Sequence, residues 1–537
     1  MVGDSGDTDS GPVDTGESGD TDEVDTGDGE LVALDVSPPA LVVNPGAVYT
    51  LRVVGTDGDG VRTDATNAGF ATSDSAIATV DAAGIVTAVA EGQATVTVTV
   101  EGLERAATVE VRDDGLCTVH VVDAITGEPV PGARVAEPAT AGATTGSDGI
   151  ATLSASTGGP LTFTAWKGET YGAVTVVGVV GRDVTLPLWP KDTGPRDATI
   201  RGDIDFSGVN DGTWEDLVVG FAAASIQGSL AALSLDDLFS DDRTVTVVGV
   251  DVDAPANLFV EGTVEDFEAV AADGPVAVWG LAGPIPIAEA SENLSGTGDA
   301  LALLIAHLDT LTWGQHTGGT ASRDGAISLD LAPVYPFSGR RSVVLPPLSL
   351  GFQGGEDILV LVTEERRSEG FVATGLGLGD GSLDVQTVPE GAVSDSLGTA
   401  VLAYAQVGGL GTGGQTCSSV AREDGDGDLV FPSFLDVSTV DTRDAATRSL
   451  GVGVDSDAQF VRIRLVDRRN RVHDVLAPAS WTGTLPTADT SFALAQAIIE
   501  VLAAHTTSGS FEEWLAHGAI DPDEVDPDSV ARTVMEF

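Results

Sequence analysis

The chain has 537 residues and carries 83 acids against 25 Lys and Arg, a net charge of −58, yet 42% of it is hydrophobic and its mean hydropathy is +0.15. That much apolar material excludes a chain disordered as a whole, and the length suggests roughly three to five domains. The charge repels phosphate backbones and anionic headgroups, so nucleic acid is excluded as a partner. Solvation in a salty medium, divalent cations or a cationic partner remain as reasons for it, the first carrying most weight.

Residues 1–30 hold eleven acids, no cation and no Leu or aromatic residue. Such a stretch cannot bury enough apolar surface to offset its ordering entropy, so a flexible acidic tether is expected. Gly3-Asp4-Ser5-Gly6 echoes the neighbourhood of a protease serine, but in this setting it is composition. No signal peptide is visible at Met1, which implies an export signal that was removed or lies upstream.

After residue 30 the pattern becomes short β-branched runs broken by Gly, Pro, Asn and Asp. Ala94 to Val100 alternates strictly, as a half-buried strand does. Strands recur at short spacing to the C-terminus, which predicts a mainly β protein of tandem β-sandwich domains with few short helices. The expected division is a tether (1–30), sandwiches at 31–112 and 113–190, a β-rich domain of unknown type at 191–422, and a C-terminal β-rich domain at 423–537. Asp299–Leu308 reads as a buried helix or a buried strand, Ser234–Phe239 as one or two helical turns, and Phe492–Ala504 as a strand on context. Val461–Val466 and Arg471–Leu476 read as a strand pair turned at Asn470. No stretch is apolar for the roughly 18–20 residues that a spanning helix needs.

Two segments carry family likenesses. Val36-Ser37-Pro38, Pro45-Gly46, Ser73 to Asp81, Gly84 to Ala88 and Gly92 to Val96 make residues 31–112 resemble the bacterial immunoglobulin-like group 2 domain. Ile77, Val80, Val86, Val89 and Val96 should point inward, and Phe70 stands near the place where that family often has a tryptophan. Val119 to Asp123, Thr126 to Val135, Thr144 to Ala151 and the strand Leu161 to Ala165 make 113–190 resemble the carboxypeptidase regulatory-like, transthyretin-type sandwich. No His-x-x-Glu zinc motif accompanies it, so the likeness implies no peptidase activity. With its acidic tether the whole resembles a bacterial surface lipoprotein. That likeness implies an exported, outer-membrane-anchored protein with a lipid anchor upstream of Met1.

Candidate chemistry is sparse. Cys117 and Cys417 include no Cys-x-x-Cys, so a zinc ribbon or thioredoxin-like pair is excluded; export would permit a disulfide between them, the alternative being two buried apolar side chains. Asp424, Asp426 and Asp428 alternate with glycine as calcium loops do, but an EF-hand would need a Glu where Leu435 stands. A looser calcium site there is the one candidate cofactor, against a solvated acidic turn. Asp57 and Asp59 alternate similarly and read as a hairpin turn. The six histidines, His120, His307, His316, His473, His505 and His517, lack the spacing of a helical zinc pair. Gly409 to Gly414 fits Gly-x-Gly-x-x-Gly but is not followed by a helix that could hold a phosphate. Arg201-Gly202-Asp203 lies inside an expected strand rather than at a loop tip. Trp166, Trp189, Trp279 and Trp481 are scattered like core anchors. No catalytic residue emerges. The reading is a non-enzymatic cell-surface or secreted protein for adhesion, scaffolding or presentation, with a protein or glycan as partner. The alternative is a carbohydrate-binding protein or hydrolase whose site lies in 198–420.

Overall fold

A computed structural model gives the fold. It describes residues 31–536 except 59–61, 66, 138–141, 155–158, 169, 192–197, 206, 210–214, 236–237, 240–241, 248–249, 256, 261–263, 294–296, 323–325, 349–356, 409, 411–413, 424–428, 470, 479, 486–493 and 518–526. The expected tether and the Asp424–Asp428 run fall outside the described residues.

The chain is mainly β. The first unit assembles from neighbours in sequence. Leu103–Val111 pairs antiparallel with Gly92–Val100 and parallel with Ala40–Val43. The alternation of Gly92–Val100 works as read: Ala94, Val96, Val98 and Val100 are buried, and the threonines between them are half-exposed. Val86 is also buried, Ile77 and Val80 pack at the edge of the core, but Val89 is 47% exposed. It follows the strand Ile85–Ala88 and points out of the turn before Gly92. Phe70 lies over Gly84, where an added Cβ would meet its ring at 2.8 Å at a φ of +77°; glycine answers both constraints.

Residues 116–188 form a two-sheet sandwich. Leu116–Asp123 pairs with Ile150–Ser154 and, in parallel, with Asp183–Leu188. The facing sheet runs Ala143–Thr144, Arg134–Ala136, Leu161–Trp166, Ala173–Val179 and does not end there. Ala173 to Val176 pairs in parallel with His473 to Leu476. The sheet then continues through Val472–Ala477, Phe460–Val466, Ile498–His505, Ser529–Glu536, Gln415–Arg422, Ser396–Gln406, Ile358–Arg366, Gly370–Gly379, Ser382–Thr387 and Gly339–Val344, fourteen strands in all. It crosses the residue boundaries 190/191 and 422/423, so strands of the last segment connect those of the two before it.

Residues 198–336 stack on this sheet. Asp216–Ala224 and Gly274–Pro286, antiparallel partners, are apolar on both faces. One face meets a three-stranded sheet through Ala222, Val278 and Ile200. The other buries Phe221 and Trp279 against Leu361 and Phe371 of the large sheet, and Trp313 Nε1 donates to the Ala373 carbonyl at 2.9 Å. Asp299–Leu308 resolves as the helix Thr297–Ala306: Ala and Leu favour helix, and Asp299 complements its N-terminal dipole. Ile498–His505 is a strand.

The helix Phe511–His517 ties the ends together. The Glu512 carboxylate accepts the N–H groups of Val180 and Gly181 at 2.8 and 3.0 Å. Ser37 bonds both Glu513 and Ser510, and Arg52 donates to the Gly509 carbonyl at 3.2 Å. Val180 itself is buried in the core of the first unit.

Candidate functional site

A wide groove opens at one end of the large sheet. Val343, Val385, Val360, Val401, Ala403 and Cys417 form an apolar surface covered by Phe434. Side chains two residues along a strand share a face, so Arg341, Thr387, Glu364, Thr399 and Glu423 extend the same surface as a polar one. The register puts them at one end: Gly339 faces Thr387, Thr387 faces Gly375, Gly375 faces Val362, and Glu364 faces Thr399. The groove has a volume of about 830 Å³ and is also lined by Arg340 and Glu390.

Three of its charges are engaged. Arg341 pairs with Glu423 at 2.7 Å. Glu364 accepts from Ser396 Oγ at 2.6 Å and from Thr399 Oγ1 at 3.2 Å. Guanidinium, carboxylate and hydroxyl groups in one open groove suit a hydroxyl-rich ligand, because each gives or takes directed hydrogen bonds. No histidine or cysteine is among the lining residues.

The residues singled out in the sequence do not converge here. Asp424, Asp426 and Asp428 are outside the described residues; the flanking Glu423 and Leu429 form an antiparallel bridge. Among the described residues no group of three His, Cys, Asp or Glu could hold a metal ion. Cys117 and Cys417 are free thiols buried in different apolar clusters. Burial raises both thiol pKa values, so neither is poised to react.

Arg201-Gly202-Asp203 is inside the strand Ala198–Asp205, with Arg201 paired to Glu268 at 3.0 Å. A Cβ on Gly202 would stand 1.9 Å from the Leu329 carbonyl oxygen. Asp203 is raised above the ordinary carboxylate value, first by its hydrogen bond with Asp266. Of the glycine-rich run, residues 409 and 411–413 are outside the described residues; the strand Gln415–Arg422 follows it, not a helix. Trp279 is buried, whereas Trp166, Trp189 and Trp481 are half-buried. The groove was missed because its members come from five strands. Adjacent arginines at 340 and 341, in a chain with few cations, were the available signal.

Among the described residues no helix is long and apolar enough to cross a membrane. No curated protein matches the chain. Among solved structures, it is similar to domains 4–9 of the surface layer protein SbsC, at 12% identity over 94% of this chain and 82% of that one, with a TM-score of 0.17. It is also similar to a tetra-tandem repeat in the extending region of a large adhesion protein, at 14% identity over 93% and 99%, with a TM-score of 0.13. At these scores neither superposes as a whole on this chain. The model of the bacterial Ig-like domain (group 2) matches residues 32–111, the segment whose strands, turn glycines and separate core are described above, and residues 32–111 are therefore a bacterial Ig-like domain of group 2.

Proposed function

We propose that this chain is a modular protein of the bacterial cell surface that presents binding surfaces and catalyses no reaction. The observation that supports this most is the group 2 Ig-like domain at 32–111, fastened by the Phe511–His517 helix to a β body. We read residues 113–190 as a carboxypeptidase regulatory-like sandwich serving as a further spacer, and an anchor upstream of Met1 as what holds the chain to the outer membrane. Intact cells producing the native protein should be labelled by an antibody against residues 31–112 and should lose that label to added protease. A label that appears only after lysis overturns the surface reading.

One observation favours the alternative. Glu364, Glu390 and Glu423 line a single groove inside or beside the 198–420 region. A hydrolase would need two of them across a glycosidic bond. Release of reducing ends from a polysaccharide panel, lost in both Glu364→Gln and Glu423→Gln, would establish that reading. Binding without release would leave a carbohydrate-binding groove.

A further inference from the structure

The covalent chain leaves the second sandwich at Leu188 and comes back to it at His473, where Ala173 to Val176 and His473 to Leu476 run side by side in one direction. From Val472–Ala477 the sheet goes on through Phe460–Val466 and Ile498–His505 to the last strand, Ser529–Glu536, over ladders of six, seven and eight residue pairs. The Phe511–His517 helix makes a second tie, through Glu512 to Val180 and Gly181 and through Glu513 to Ser37. The last strand is therefore joined to the first two units by routes that contain no residue of 198–453.

The first two units are themselves closed by parallel ladders. Ala40–Val43 runs beside Thr108 to Val111, with Thr108 N–H on the Pro39 carbonyl at 2.8 Å and Arg112 N–H on the Val43 carbonyl at 2.9 Å. Leu116–Asp123 runs beside Asp183–Leu188, from Thr118 opposite Asp183 to Asp123 opposite Leu188. Each ladder joins a strand near the start of its unit to the strand by which the chain leaves it. Pulling on the start of one strand and the end of its parallel partner slides the two along each other, so the evenly spaced bonds are loaded together. An antiparallel hairpin pulled at its open end parts one rung at a time. Antiparallel pairs are the commoner kind, and among the described residues four ladders are parallel; three of them stand in series along this route.

We propose that the chain is a tension-bearing element. Residues 31–188 and 460–536 carry a pull between its ends, and residues 198–453, with the groove of Arg341 and Glu423, lie outside the path of that pull. The groove then keeps its shape while the rest is stretched. The source of the pull rests on the surface reading above, since a chain anchored before residue 31 and gripped at its far end is under tension. The mechanics need no cell, so the pulling experiment and the antibody labelling succeed or fail separately.

Single-molecule pulling of the full chain tests it, with introduced cysteines as handles, Cys117 and Cys417 being buried. Between Val32→Cys and a C-terminal tag, the first rupture should release less chain than 198–453 spans, about 850 Å at ~3.4 Å per residue. A first rupture that frees that length or more puts 198–453 in the path and overturns the proposal. A second comparison reads the ladder of the Ig-like domain. Handles at Val32→Cys and Asp113→Cys slide Ala40–Val43 along its partner. Handles at Ala90→Cys and Asp113→Cys open the hairpin of Gly92–Val100 and Leu103–Val111 at the end where Gly92 faces Val111. All three positions are exposed and outside the ladder, so each variant should melt like wild type. Forced unfolding is set by the barrier along the pulled route, and at one loading rate the first pair should need at least about twice the force of the second. Equal forces, or a weaker first pair, overturn the proposal.

Discussion

The Ig-like domain and the fourteen-stranded sheet are both β, but they are built over different distances along the chain. Within the first, strand partners such as Gly92–Val100 and Leu103–Val111 are joined by a two-residue turn, and the core closes on residues 34–111 with only Val180 added. In the large sheet, Ala173–Val179 finds its partner near residue 475, and Gln415–Arg422 is flanked by Ser529–Glu536. A local unit can fold alone; a sheet stitched from distant segments must wait for the last strand, because closing long loops costs entropy before the contacts repay it.

Cutting the chain gives the largest expected effect. Residues 31–112 alone should fold, with dispersed amide resonances and a cooperative melt. Residues 113–190 alone should not fold stably: without residues 472–477 the strand Ala173–Val179 becomes an open edge, and the core around Phe163 and Leu186 loses partners such as Phe460 and Trp514. A well-folded 113–190 fragment would break the contrast, and would make the continuity of the sheet incidental to stability.

Trp313→Ala comes next. Its ring is fully buried between the five-stranded sheet and the large one, and its N–H is satisfied by Ala373. Emptying such a site costs about 3–5 kcal/mol. Calorimetry should show the main transition falling while a transition assigned to the Ig-like domain stays put. If both fall together by the same amount, the two regions are one cooperative unit.

This contrast also explains what the sequence disclosed. The Ig-like domain was legible nearly residue by residue because its signals are local: strict alternation at 94–100, and glycines where φ is positive. The strand pair at 461–476 was legible for the same reason, whereas 492–504 was read as strand only from its context, and the strand itself runs Ile498–His505. The parallel join between Ala173–Val176 and His473–Leu476 was not, since nothing in either run names its partner. The same holds for the groove of Arg341, Glu364 and Glu423. Each depends on a register that only the assembled sheet sets. The two cysteines show the same limit: they can be counted, but their placement in different apolar clusters cannot be read from the sequence.

Glu512→Gln probes the seam between the two regions. The wild-type carboxylate takes two N–H groups at once, from Val180 and Gly181; a glutamine offers one oxygen and turns an amide N–H₂ on the other donor. The loss should be about 1–2 kcal/mol, read as a lower midpoint. Burial, outweighing these bonds and nearby Arg182, raises this carboxyl above its ordinary value. A raised carboxyl stabilises the fold at pH below its unfolded value, and that contribution is lost as pH climbs through the raised one. Glutamine cannot titrate. The deficit of the variant against wild type should therefore be widest at acid pH and narrow toward neutral. A deficit that does not change with pH would mean the carboxylate is solvated rather than held in the seam.

Arg201→Ala should have the smallest effect. Arg201 sits on the outer face of its strand, and its pair with Glu268 is solvent-exposed at both ends. Such a pair contributes about 0–1 kcal/mol and less in salt. The strand is held instead by its ladder to Val264–Ala271 and by Ile200 and Ile204 beneath it, none of which the substitution touches. The midpoint should move by no more than a degree or two and the shift should shrink further in high salt. Adhesion of the protein to integrin-bearing cells, if any is measured, should be the same for both, because a tripeptide in a paired strand is not offered as a loop. A drop in adhesion with an unchanged midpoint would place the tripeptide among the binding surfaces after all.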